Sequence, residues 1–357
     1  GKQAMNSFLI TGTYTSKLGH APNANGKGVV VYKLQDNSSY VEVAVDSSLP
    51  HPSWVTAHPT KNVIYACHEL EGVSKITSFN VDPKTGKLTL TSTQSSLGEA
   101  ACHGEVDKTG KVLFIANYSS GCITSFIIND DGSLQPSADH LKFGGSGPNK
   151  SRQEGPHAHG TFIDYTTNTR MLVPNLGNDT VHVCQFDTQG KMKEISCLKL
   201  DAGSGPRHVV YHPTLDIVYV LSELLPTVTV CSWDHKGELK SITSASLVPE
   251  GFTGSTNAAA IRFHAKSNTL YCSNRFYDTI SSFDVDSKGN ITPKSHTSTH
   301  GKTPRDMQFN PDGTLLYVAN QDSDDIQVFS VAQDTGDLTH VPKSEIKMSG
   351  PTCLLFW

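Results

Sequence analysis

Charge is scarce in this chain. Asp, Glu, Lys and Arg make up 18% of its 357 residues, and the formal net charge is -5; soluble domains usually carry about 25% charged residues. With no basic excess, nothing points to nucleic acid as a partner. No run of about 18 apolar residues occurs, so no membrane span is expected. Gly1 to Ser7 lacks the basic-then-apolar layout of a secretory signal. None of the eight cysteines forms a CxxC pair, so neither a zinc site nor a redox pair is signalled. Most sit in apolar runs, as in Tyr65-Ala66-Cys67, and read as buried free thiols, which favours a reducing, cytoplasmic location. Sequons at Asn37, Asn117, Asn178 and Asn290 would matter only on a secretory route. Also missing are a sustained amphipathic helical period and a Gly-x-Ser-x-Gly nucleophile elbow, so a serine acyl-enzyme is not favoured. Trp-Asp occurs once, at Trp233-Asp234, too rarely for WD-type repeats.

What the chain does have is a repeat. Pro52 is followed thirteen residues later by Tyr65, and the same spacing joins Ala101 to Phe114, Pro206 to Tyr219, Ala258 to Tyr271 and Pro304 to Tyr317. Pro156 and Leu172 fit with three extra turn residues, and Pro351 supplies a last anchor. A second series has seven copies, among them Val29 to Tyr32, Ile76 to Phe79, Ile123 to Phe126 and Ile280 to Phe283. Period-2 runs bounded by Asp/Asn-Gly-type turns are β-hairpins. Seven units of about 50 residues, each of four antiparallel strands, predict an all-β, seven-bladed β-propeller formed by residues 1–357 as a single domain. The first unit has no strand upstream of Phe8. Thr352 to Phe356 is left over at the C-terminus, and pairing the two would close the ring and remove an open edge.

This topology places residues at one face of the channel. Just after the anchors come Ser53, Cys102, His157, Arg207, Ala259, Arg305 and Thr352. At the ends of the second strands come Thr13, Glu69, Tyr118, Leu176, Glu223, Arg275 and Gln321. His157, Arg207, Glu223 and Arg275 fall on three successive blades. Charges at a channel mouth cost desolvation unless paired, and a propeller needs none of them to close. A purely structural Glu223–Arg bridge is the competing reading. Glu69, His68 and Arg305 complete the rim, while Arg152 and Glu154 lie on the loop entering blade four. That loop and Pro249 to Asn257, which enters blade six, are expected over the mouth. Asn117 and Asn320 read as hairpin-exit residues that bond nearby backbone, with Asn175 and Asn274 left open. His58, His212 and His264 read as structural.

The chain resembles the seven-bladed propeller lactonases, whose characterised members are 6-phosphogluconolactonases, over essentially its full length. The segments that carry the resemblance are Gly147 to His159, Ala116 to Gly121, Gly205 to His208 with Ser222 to Leu224, Ser273 to Arg275, and Pro304-Arg305 with Ala319 to Gln321. The fungal carboxymuconate cyclases look similar. The resemblance implies a catalytic set of His157, Arg207, Glu223 and Arg275; from their places at the rim and on the loop entering blade four, Arg152, His159, Glu69, His68, Asn175 and Arg305 are expected to bind substrate. The resemblance also implies no metal or cofactor, and nothing is carried onto the divergent insertion Ser16 to Lys27. The expected reaction is hydrolysis of 6-phosphoglucono-δ-lactone, a phosphorylated sugar lactone, by direct water attack, in a monomer or weak homodimer. His157 or Glu223 would be the base, one Arg would stabilise the oxyanion, and another would hold the phosphate. The alternatives are a muconate-lactonising enzyme and a non-catalytic binding platform.

Overall fold

A computed structural model describes residues 8–35 and 39–357; the Asn37 sequon and the Gly1 to Ser7 segment lie outside the described residues. Seven antiparallel sheets are arranged as blades. Blade one holds Phe8–Thr13, Val29–Leu34, Tyr40–Asp46 and the C-terminal Pro351–Phe356. The inner two strands of the following blades are Pro52–Ala57 with Val63–His68, Ala101–Val106 with Val112–Asn117, and Phe162–Ile163 with Arg170–Asn175. Then come Pro206–Tyr211 with Ile217–Ser222, Asn257–His264 with Thr269–Arg275, and Pro304–Phe309 with Leu315–Asn320. Each blade adds two outer strands, and in blade seven Ile346–Lys347 also joins Asp325–Val331. The innermost strands of neighbouring blades touch in an unbroken ring.

The ring closes as its ends predict. Leu9 pairs with Phe356, Ile10 with Leu355, Thr11 with Leu354 and Gly12 with Cys353. Second strands such as Val63–His68 and Val112–Asn117 are buried on both faces, because each blade is sandwiched between two others. Outermost strands, such as Met192–Lys199, are largely exposed. The aromatic thirteen residues after an anchor also locks blades together. The Tyr65, Tyr219 and Tyr271 hydroxyls donate to the carbonyls of Gly132, Gly289 and Gly336, each in a turn of the next blade. Those turns run at positive φ, +88° at Gly132 for example, which glycine adopts at no steric cost.

The innermost strands share one irregularity. Their register slips between Pro52 and Trp54, Ala101 and His103, Pro206 and His208, and Pro304 and Asp306. Each slip is a bulge that leaves one residue unpaired and re-aims its side chain. The bulged residues are Ser53, Cys102, Arg207 and Arg305.

In blade four the structure corrects the expected register. Pro156 opens no strand. Ala158 bridges Asn175, and the Leu176 amide donates to the His157 carbonyl. In the other blades that last bond goes to the residue before the anchor, as from Glu69 to His51 and from Glu223 to Gly205. Ala158 is therefore the anchor, and His159, not His157, holds the position of Cys102 and Arg207.

Closure predicts a cooperative consequence. Deleting Thr352 to Trp357 would strip blade one of its inner strand and expose Leu9 and Ile10, both fully buried. Urea unfolding followed by far-UV circular dichroism should show loss of the folded baseline, or a large drop in midpoint, for the whole chain. A midpoint like that of the intact protein would mean that the closing strand is dispensable.

Candidate active site

One face of the ring opens into a cavity of about 390 Å³, within the usual range for small-molecule sites. Its polar wall includes Glu69, Arg152, His159, Arg207, Glu223, Arg275 and Arg305. The bulges supply Arg207 and Arg305, and the ends of second strands supply Glu69, Tyr118, Glu223 and Arg275.

Glu223 is the centre of one lobe. Its side chain is 2% exposed and meets three guanidinium groups. Arg207 Nε donates to Oε1 at 3.0 Å, and Arg275 Nη2 lies 2.9 Å from the same oxygen. Arg152 Nη2 donates to Oε2 at 2.6 Å and to the Tyr118 hydroxyl at 3.0 Å. Burial by itself would raise the pKa of this carboxyl, but Arg275, Arg152 and Arg207 together hold it far below the usual range. Burial first, then repulsion from Arg275, pulls Arg207 down to about 9, so it stays charged near neutrality. Arg207 is further fixed by the carbonyl of Ala259, and Arg275 by those of Asn257 and Ala258. Three cations on one anion leave a net positive lobe. Arg152 Nε and Nη1, Arg207 Nη2 and Arg275 Nη1 donate to nothing among the described residues.

His159 lines the same cavity. Its Nδ1 lies 3.9 Å from the thiol of Cys102, and Nε2 has no hydrogen-bond partner among the described residues. Burial, and then the charge of Arg207, holds its pKa well below the ordinary 6.5. Held neutral, the imidazole keeps one unprotonated nitrogen that can accept a proton. His157 is placed differently from the expectation. Its ring stacks on Tyr118 at 4.4 Å, with Nδ1 2.9 Å from the Tyr118 carbonyl and Nε2 2.7 Å from Glu154. It does not line the cavity. Glu223 is also badly suited to the base role assigned to it, since both of its oxygens already accept from arginine.

The second lobe is built on Glu69. Its Oε1 accepts from Ser53 at 3.0 Å and its Oε2 from Tyr14 at 2.7 Å, while Arg305 lies 3.7 Å away, over the Tyr14 ring. Burial opposes the charge, but hydrogen bonding to His20 and the charge of Arg305 bring Glu69 to about 2. His20 belongs to the first-blade insertion, which with Leu18 reaches the mouth. Sequence reasoning left that insertion aside, because an isolated loop gives no sign of where it folds back. Of the loop entering blade six, Asn257 lines the cavity.

Two expected contacts serve the fold instead. His68 is fully buried, with Nδ1 2.8 Å from the Pro50 carbonyl and Nε2 2.8 Å from Thr77. Asn175 accepts from the amides of His157 and Gly177 and donates toward His182. Asn117, Asn274 and Asn320 likewise bond to Ser96, Ser281 and Thr299 at the strand exits. His58, His212 and His264 cap turns, for example by accepting the amides of Thr214 and Leu215 at His212.

Removing the shared anion has a definite expected cost. Glu223→Gln leaves the buried guanidiniums of Arg207 and Arg275, with the half-buried Arg152, facing one another, and breaking a buried ion pair typically costs about 3–5 kcal/mol. Urea unfolding at neutral pH should register a loss of that size. An unchanged midpoint would show that the arginines find other partners.

The profile of the family described as "Lactonase, 7-bladed beta-propeller" matches residues 8–356. A 6-phosphogluconolactonase of Bacillus subtilis is 28% identical over 347 residues, covering 96% of this chain and 98% of that protein. An uncharacterised protein of Lactococcus lactis is 30% identical over 361 residues, covering 98% and 99%. Among solved structures, the periplasmic gluconolactonase of Pseudomonas aeruginosa superposes with a TM-score of 0.89 at 26% identity, covering 98% of both chains. With the profile spanning all seven blades, the chain belongs to the lactonase family of seven-bladed β-propellers.

Proposed function

We propose that this lactonase-family protein hydrolyses 6-phosphoglucono-δ-lactone to 6-phosphogluconate. The observation that carries the reading is the convergence of Arg152, Arg207 and Arg275 on one buried Glu223, beside a neutral His159. A net positive lobe suits a substrate that brings a phosphate and develops a second negative charge at its carbonyl oxygen. The names of relatives such as the Bacillus subtilis enzyme support the same substrate class.

His159 Nε2 takes a proton from water as the water oxygen attacks the lactone carbonyl carbon. The carbonyl electrons move to oxygen, and the Arg207 and Arg275 guanidiniums stabilise that oxyanion. Collapse breaks the bond from carbonyl carbon to ring oxygen, and the departing alkoxide takes the proton back from His159. Arg152, with a side chain 34% exposed, holds the phosphate nearer the mouth. Glu223 fixes the three guanidiniums rather than moving protons.

Background-corrected kinetics test this assignment. His159→Asn should lower kcat by about 100- to 10,000-fold, whereas His157→Asn should act mainly through stability. Arg152→Lys should raise KM for the phosphorylated lactone and change little toward glucono-δ-lactone. The base works deprotonated and its pKa lies well below 6.5. With glucono-δ-lactone, which lacks a phosphate titrating at about pH 6, the kcat/KM profile should therefore stay flat as pH falls through 6.5 and decline only at lower pH. A half-loss at pH 6.5 would contradict the buried neutral His159. Turnover of 3-carboxy-cis,cis-muconate with none of the phosphorylated lactone would replace hydrolysis by lactonisation, and turnover of neither would leave a binding platform.

A further inference from the structure

Immediately after Arg275 the chain does something costly. Phe276 has φ +75°, in the left-handed region, and the residue is 56% exposed. A bulky residue there is an outlier, and such strain persists only where the surroundings impose it. Asp278 imposes it. Its carboxylate accepts the amide of Phe276 at 3.1 Å and, across the blade boundary, the amide of Thr303 at 2.8 Å. That clamp uses only the backbone of residue 276, so glycine or asparagine would serve it with less strain. More than half of the residue's surface stays open to solvent, so packing within the protein offsets the strain only in part. The ring has no aromatic partner among the described residues, whereas the ring of the neighbouring Tyr277 meets that of Phe252 at 4.7 Å in a tilted pair. Among the described residues Leu97 is the other exposed large apolar residue at positive φ, and it does not line the cavity. Phe276 lines the cavity beside Arg275.

We propose that Phe276 is a substrate-contacting specificity residue whose ring lies against the apolar C–H face of the lactone held by the arginine lobe. The inference rests on the function proposed above and deepens it. An aromatic face offers dispersion and C–H contact to a sugar ring without competing for its hydroxyls. Covering that side also removes water from beside Arg275, which strengthens its field at the reacting carbonyl. The ring is thus kept at a strained position for what it touches in the complex.

The test compares Phe276→Asn, which tolerates the left-handed backbone, with Phe276→Tyr, which keeps the ring. Phe276→Asn should retain or raise the thermal midpoint of the wild type. It should also weaken 6-phosphogluconate binding by calorimetry, and raise KM for the lactone, by about tenfold or more, the size expected when an aromatic ring no longer covers its ligand. Inorganic phosphate, held by the arginines alone, should bind wild type and variant equally. Phe276→Tyr should restore both KM and affinity for 6-phosphogluconate. If wild type hydrolyses the lactone and Phe276→Asn matches it in KM and affinity, the assignment of Phe276 fails while the proposed function stands. If wild type neither binds 6-phosphogluconate nor turns over the lactone, both fail. A lowered thermal midpoint with unchanged kinetics would make Phe276 structural and overturn the proposal.

Discussion

The site depends on one buried carboxylate. Glu223 accepts from Arg207 and Arg152 and lies in contact with Arg275, so groups from three chain segments are held by a single anion. Like charges would not gather in a buried cleft without it. The same pairing removes Glu223 from proton transfer, because a carboxylate surrounded by three guanidiniums has little affinity for a proton. Under the mechanism proposed above, binding, orientation and charge stabilisation would fall to the arginines, and the proton chemistry to the neutral imidazole of His159.

The propeller supplies the geometry through a repeated defect. A bulge at the start of the innermost strands turns Arg207, Arg305 and Cys102 out of their ladders and into the mouth. The second strand of each blade ends beside that bulge and delivers Glu69, Tyr118, Glu223 or Arg275. Seven repetitions of one unit therefore give a ring of paired positions, and substitution at those positions makes the site. The asymmetry lies in the charges. The Glu223 lobe has three arginines, whereas the Glu69 lobe balances one arginine with one carboxylate and is closed by His20 from the insertion.

Much of this was legible in the sequence, because a propeller repeats its signals. Anchor, aromatic and turn glycine recur at near-constant spacing, and in three blades a tyrosine at the aromatic position reaches the turn of the next blade, as Tyr65 reaches Gly132. Arg207, Glu223 and Arg275 followed from that register alone. Blade four misled because Pro156 resembles the prolines that open blades two, five and seven. The true anchor is Ala158, of the same type as Ala101 and Ala258, and it needs one extra turn residue rather than three. The two-residue error moved the histidine at the mouth from His159 to His157. Asn175 and His68 were misplaced for another reason: polar residues at strand exits look alike in sequence whether they face the cavity or the backbone.

The chain by itself determined the blade count, the ring closure and the positions where charged side chains meet, because all three follow from a periodic pattern of hydrophobic and turn residues. Only the tertiary structure decided how those side chains divide their partners. Whether a histidine faces Glu154 or a cavity, whether a carboxylate is free or shared by three arginines, and where the first-blade insertion comes to rest are set by contacts between residues far apart in the chain. Those contacts have no local period, and so they leave no pattern in the sequence to read.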